Sequence, residues 1–234
     1  MTSRHTIRQS TLIVIVGVIM ASLLVALEIK LFTPDPRLER AMDAVVVIET
    51  DTGIGTGFFI SNDGCVMTAA HVVIDSTTQE SETGLVILER GTHDEIPARM
   101  ISFNTYLDAA IICADTKPAA ILKIIDTETL KQGEPIYAIG HPMERKWNVT
   151  QGIVSRFAYK NHYIEDVPVK RWVLYFSAFI SWGNSGGPII DKNGNVVGMV
   201  IEWDGLEIGV PNNTNIAIPG TDLIRFIRET NGKY

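Results

Sequence analysis

Gly183-Asn184-Ser185-Gly186-Gly187-Pro188 places one serine among residues that permit sharp backbone turns. A serine hydroxyl is a weak nucleophile until a base takes its proton, and the transition state of its attack carries an oxyanion that needs donors. Gly183 and Ser185 can aim their backbone N–H groups at one point, and one such donor is worth about 3 kcal/mol of transition-state stabilisation. Read without its surroundings, the same segment is a Gly-rich hairpin with an incidental serine.

The surroundings narrow the choice. GNSGG also fits the G-x-S-x-G elbow of α/β-hydrolases, where the histidine follows the serine. Here all five histidines (His5, His71, His93, His141 and His162) precede Ser185. The strand pattern disagrees with that fold as well. Short runs rich in Val, Ile, Phe and Tyr lie at 44–50, 56–61, 65–69, 85–89, 96–102 and 109–114, then at 135–139, 149–157, 172–178, 188–190, 196–203 and 214–218. Asn62-Asp63-Gly64 and Lys192-Asn193-Gly194-Asn195 read as hairpin turns, and 115–133 reads as a bridge. Many short antiparallel strands argue for barrels or sandwiches rather than a parallel sheet. The chain closes with a helix over 221–230, capped by Thr221 and stopped by Asn231-Gly232.

Two further segments supply partners for the serine. Met67-Thr68-Ala69-Ala70-His71 ends an apolar strand in small residues and delivers a histidine. Leu107-Asp108-Ala109-Ala110-Ile111-Ile112 places a carboxylate at the mouth of another, where it could hold an imidazole in one tautomer. His93 and His162 lie in polar stretches and read as solvated. His141, in Gly140-His141-Pro142, is the rival base.

The chain has 234 residues, 20 Lys+Arg and 27 Asp+Glu, for a net charge of −7. With no basic block, binding to nucleic acid is not expected. Leu12–Leu27 runs sixteen residues without a charge, and with Leu31 and Phe32 the stretch 11–32 could cross a bilayer as a signal anchor. Arg4 and Arg8 precede it, so the positive-inside rule puts residues 1–10 in the cytoplasm and the remainder outside, periplasmic or extracellular. From Glu28 onward 18 basic face 27 acidic residues, a net of −9. A cleaved signal peptide is the alternative, although Leu27, Glu28 and Ile29 are poor cleavage neighbours. Residues 33–43 form a linker opened by Thr33-Pro34-Asp35-Pro36, with a short helical turn at 37–42.

The order His71, Asp108, Ser185 is that of the chymotrypsin fold, and the flanking sequences resemble its HtrA branch. The resemblance lies in DAVVVIETDTGIGTGFFISNDGCVMTAAHVV (43–73), LDAAII (107–112), EPIYAIGHP (134–142) with TQGIVS (150–155), ISWGNSGGPIIDKNGNVVGMV (180–200) and the late NIAIP (215–219). It implies a membrane-anchored serine endopeptidase built of two six-stranded antiparallel β-barrels, barrel one over 44–114, the bridge 115–133, barrel two over 134–219 and the C-terminal helix, within a domain of 44–234. The strand count alone does not establish barrel closure. The resemblance implies Ser185 as nucleophile, His71 as proton shuttle, Asp108 as its orienting carboxylate, and an oxyanion hole of Gly183 and Ser185 with Asn184. It implies protein or peptide substrates, no metal or organic cofactor, and a homotrimer as one assembly open to the chain.

By the same resemblance Phe179 lies at the base of the primary specificity pocket, favouring aliphatic side chains, and Val200-Ile201-Glu202 pairs with substrate backbone. The sequence departs from the family in ending at Tyr234 with no PDZ domain, in carrying His141 where Asn is frequent, and in reading Ser177-Ala178-Phe179 where Asp-Ala-Ala is common. Cys65 and Cys113 fall on neighbouring strands; two buried free thiols are the simpler reading, with a disulfide left open. A catalytically silent scaffold and a partner-activated latent protease are the alternatives of function, with 158–171 and 204–213 read as the activation loops.

Overall fold

Val45-Val46-Val47-Ile48 and Ala109–Ala114 are apolar at every position, which a strand tolerates only where both of its faces are buried. In the structure, a computed structural model describing residues 15–24, 35–75, 77–92, 94–142, 146–164, 167–203 and 215–230, both faces are buried. Alternate residues divide between two cores. Val46, Val66, Ala110 and Ile112 fill the inside of the first barrel. Val45, Met67, Ala109 and Ile111 point outward and pack with Ile139, Met199, Ile201 and Ile218 of the second. Ile136, Val154, Leu174, Ile189 and Ala217 fill the second barrel. The strict period of two in a pleated strand makes this division possible.

The first barrel is closed and antiparallel, in the order β1 (Val45–Glu49), β2 (Ile54–Phe59), β3 (Cys65–Thr68), β6 (Ala109–Ala114), β5 (Ile96–Asn104), β4 (Val86–Leu88). The second is closed likewise, in the order β10 (Pro188–Asp191), β11 (Val196–Trp203), β12 (Asn215–Pro219), β9 (Val167–Phe176), β8 (Asn148–Ile164), β7 (Pro135–Gly140). Besides helix α1 over residues 15–24, there are α2 (Pro36–Asp43), α3 (Ala70–Val73) and α4 (Gly220–Glu229). The stripe of α4 buries Leu223 and Phe226 in the core shared by the barrels. The fold is thus the expected all-β pair of six-stranded barrels with a C-terminal helix.

Three local features differ from the sequence reading. Thr221 does not cap α4: the N-cap is Pro219, with no side-chain cap. The Thr221 hydroxyl instead donates to Asp126 Oδ1 at 2.8 Å and accepts the Thr127 N–H at 3.0 Å, fastening the bridge to the helix. Secondly, β8 and β9 extend through most of 158–171, which polar residues made look like a loop. A strand pair that projects from a barrel needs no apolar alternation, and Trp172 packs against Phe157 and Tyr159 across it. Finally, Cys65 and Cys113 are not free thiols. They stand directly opposite each other in the β3–β6 register and form a disulfide. Directly opposed antiparallel residues bring their Cβ atoms within bridging reach.

The chain divides into Met1–Pro36 and Arg37–Tyr234. In the first unit, residues 15–24 are helical with exposed side chains; the rest of the expected span 11–32 lies outside the described residues. Among the described residues no helix is long and apolar enough to cross a membrane.

The disulfide closes a 48-residue separation, so Cys65→Ala with Cys113→Ala should lower the unfolding free energy by about 2–4 kcal/mol. Urea unfolding of the two chains would measure it. Equal midpoints, with and without reductant, would show that the bridge contributes nothing to stability.

Candidate active site

Strand β3 ends at Thr68, and the single turn of α3 buries Ala70 and Val73 while leaving His71 on its outer side. Small residues at 69 and 70 let this turn sit tightly on the barrel: Ala69 is fully buried. One carboxylate holds the histidine twice. The His71 backbone N–H donates to Asp108 Oδ1 at 3.0 Å, and His71 Nδ1 lies 2.8 Å from Asp108 Oδ2. With Nδ1 donating, Nε2 carries the lone pair and serves as the basic face of the ring.

Asp108 reaches that position from an unusual backbone. Its φ is +62°, in the left-handed region that few non-glycine residues occupy, though Asp tolerates it better than most. The turn before it is closed by the Leu107 N–H donating to Asn104 Oδ1 at 2.9 Å. Left-handed backbone at one residue re-aims its side chain, so Asp108 turns to His71 before β6 resumes at Ala109.

Ser185 comes from the second barrel. Asn184 N–H donates to Ser181 O at 3.1 Å, closing a four-residue turn whose third residue, Gly183, has φ +95°. That is a type II turn, which needs positive φ at this position and hence a glycine. The first barrel then clamps the loop through Thr56. Its N–H donates to Ser185 O at 2.9 Å and its hydroxyl to Gly183 O at 2.6 Å. The Gly186 Cα lies so close that a Cβ there would sit 2.2 Å from Thr56 O. Asn184, expected with Gly183 and Ser185 at an oxyanion hole, thus has its N–H bonded inside the turn to Ser181 O.

His71 and Ser185 share a cavity of about 220 Å³, walled by Ile180, Ser181, Trp182, Val200 and Ile201. Phe179, expected at its base, is not among these residues and is 63% exposed. Side chains alternate here: Ala178 and Ile180 turn inward, so Phe179 turns out, its carbonyl accepting from Thr150 Oγ1 at 2.7 Å. Ile180 takes the inner place. Val200 and Ile201 line the cavity, while Glu202 pairs with Ile216 beyond a bulge and its side chain lies outside those described. Sequence reasoning missed Thr56, Ile180 and Trp182. For Thr56 a signal existed: it stands between Gly55 and Gly57, and glycines inside a strand mark a close approach of other groups.

The rival base is disposed of by burial. His141 has no exposed surface, and its Nδ1 accepts the Trp147 N–H at 2.9 Å. Burial pushes its pKa down to about 4, Lys146 adding to the depression and the Val46 carbonyl opposing it. His93 lies outside the described residues, and His162 lies in β8 with its side chain undescribed. Among the described residues no cluster of His, Cys, Asp or Glu could hold a metal ion.

Residues 55–199 match the family model described as a trypsin-like peptidase domain. A DegP-like periplasmic serine endoprotease of Pseudomonas putida (strain W619) is 34% identical over 166 residues, covering 70% of this chain and 30% of that protein. Its counterpart in Halomonas elongata is 35% identical over 184 residues, covering 76% of this chain and 36% of that protein. This chain thus spans about a third of the length of these curated relatives. Among solved structures, an inactive form of Rv3671c from M. tuberculosis H37Rv superposes with a TM-score of 0.70 at 25% identity, covering 85% of this chain and 95% of that one.

His141 is neutral when folded but titrates near 6.5 when unfolded. Its contribution is therefore complete above about pH 6.5 and is lost as the pH falls towards 4, by about 3 kcal/mol at most. Melting temperatures at pH 7 and pH 5 should accordingly converge in His141→Asn relative to wild type. An unchanged gap between the two would show that His141 does not govern it.

Proposed function

The chain belongs to the trypsin-like peptidase family, and we propose that it is a serine endopeptidase of the HtrA type acting through Ser185, His71 and Asp108. The observation that carries the proposal is the 2.8 Å contact of His71 Nδ1 with Asp108, made by a histidine that shares its cavity with Ser185.

The steps follow from these groups. Ser185 Oγ attacks the carbonyl carbon of a bound peptide while its proton passes to His71 Nε2. The carbonyl π pair moves onto oxygen, and that oxyanion accepts from the Gly183 and Ser185 N–H groups. Asp108 stabilises the imidazolium and keeps the ring oriented without taking its proton. The intermediate collapses, the C–N bond breaks, and the departing amine takes the proton from Nε2, leaving an acyl-serine. Water then repeats the sequence and releases the acid. The apolar cavity wall of Ile180, Val200 and Ile201 supports a preference for aliphatic residues before the scissile bond.

The periplasmic relatives and the apolar stretch 11–32 support a protease domain that works outside the cytoplasm, held at the membrane by its N-terminal segment. Its substrates on this reading are extracytoplasmic proteins.

A fluorophosphonate probe should label wild type and fail on Ser185→Ala, with His71→Ala reduced by roughly 10³-fold or more. Labelling that survives Ser185→Ala would refute the choice of nucleophile. Gly183→Ala should slow labelling by about 10²–10³-fold, because a Cβ disfavours the left-handed backbone and turns one oxyanion donor away. Wild-type rates in that variant would remove Gly183 from the oxyanion hole. Cleavage sites mapped in denatured casein test the pocket, where cuts mainly after Arg or Lys would contradict it.

A further inference from the structure

Arg171 sits on β9, in the second barrel, and is only 4% exposed. A guanidinium stays charged at any ordinary pH, so burial is costly unless its donors are used. Its Nη1 donates to the Leu107 carbonyl at 3.2 Å and, more weakly, to the Tyr106 carbonyl at 3.5 Å. The Tyr106 hydroxyl donates in return to the Lys170 carbonyl at 3.1 Å. Both residues so held belong to the first barrel, and the next residue in the chain is Asp108.

That junction is one of the places where the backbone needs support. Asp108 lies at φ +62°, and a non-glycine residue leaves this region for a better-populated one unless its neighbours prevent it. From within, the turn is closed by Asn104 on the Leu107 N–H. From behind, Leu107 packs against the shared core, while Asn104, Tyr106 and Leu107 also border a cavity of about 840 Å³, with Arg171 and Trp172 of β9 and Phe226 of α4 on its other sides. The brace across this space is polar, and it comes from the opposite barrel.

We propose that Arg171 is a positioning residue, which fixes the carbonyls of Tyr106 and Leu107 and thereby the backbone from which Asp108 reaches His71. The guanidinium suits the task because its fork is planar and rigid, whereas a lysine offers a flexible point charge. Arg171 touches neither substrate nor the reacting atoms; it acts through Asp108. The inference rests on the reading of Ser185, His71 and Asp108 as the reactive groups, and the test separates the two.

The full chain, in detergent micelles, is labelled with graded concentrations of a fluorophosphonate, which gives a maximal rate of Ser185 modification and a half-saturating concentration. Arg171→Met should lower the maximal rate by about 10- to 100-fold, since small misplacements of catalytic groups cost on that scale. Its half-saturating concentration should stay within about twofold, because binding is untouched. Arg171→Lys should recover part of the rate. Asp108→Asn should lose about 10⁴-fold, and adding Arg171→Met to it should cost no more than about twofold further. A purely structural arginine would multiply the two losses instead, and that result, or an unimpaired Arg171→Met, would overturn the inference alone. Wild-type labelling by Asp108→Asn would strike the triad reading and this inference with it. Tyr106→Phe, at a half-exposed site that spares the fold, should lose about two- to fivefold for one bond of the brace, with melting unchanged. No loss there, should the Arg171 variants fail to fold, would also overturn the proposal.

Discussion

Thr56 makes the one contact on which both halves of the site depend. It stands on β2 of the first barrel, yet its N–H and hydroxyl hold the carbonyls of Ser185 and Gly183 in the second. Its own carbonyl accepts from Thr68 Oγ1 at 2.8 Å, and Thr68 ends the strand that leads to His71. One buried residue therefore joins the Ser185 loop, the Gly183 turn and the strand that leads to His71. Its surroundings are sized to it. A Cβ at Gly55 would strike Val72, one at Gly57 would strike Val66, and one at Gly186 would strike the Thr56 and Thr68 oxygens. Three glycines make close approaches here, and at Gly186 a side chain would hold the barrels apart.

A candidate site divided between two barrels depends on the interface that joins them. Polar bonds cross it at separate places: Thr56 to the serine loop, Trp147 Nε1 to the Val45 carbonyl at 2.9 Å, and Arg171 to the turn before Asp108. The shared apolar core supplies the area, since Val45, Phe58, Met67 and Ile111 meet Ile139, Met199 and Ile218 there. Apolar contact is non-directional and tolerates sliding, whereas hydrogen bonds fix register. The two kinds of interaction thus do different work.

What could be read from the sequence follows the same division. Both barrels are visible as apolar runs, and His71, Asp108 and Ser185 stand out as candidates because each sits where such a run meets a turn. Closure of the barrels was not visible, for a strand buried on two sides reads alike in a barrel, a sandwich or a parallel sheet. That Phe179 faces outward, away from the cavity, depends on which side of the chain turns inward, and a shift of one residue reverses it. Cys65 and Cys113 could be placed on neighbouring strands, but their pairing is a matter of register, which the sequence of either strand leaves open. The polar stretch 158–171 reads as a loop because its residues lack the apolar alternation by which a strand is recognised.

The contrast between His71 and His141 shows how placement, not residue type, assigns roles. Both follow a β-strand in a segment of small residues, and both have Nδ1 engaged. At His71 the partner is a carboxylate that accepts, so Nε2 is left basic and faces the cavity with Ser185. At His141 the partner is an N–H that donates, so Nε2 carries the proton and the ring lies wholly buried. One histidine is thereby equipped to take a proton and the other is committed to keeping one. A carboxylate placed by one left-handed residue, Asp108, makes the difference, so the backbone that delivers it decides how the His71 ring is held.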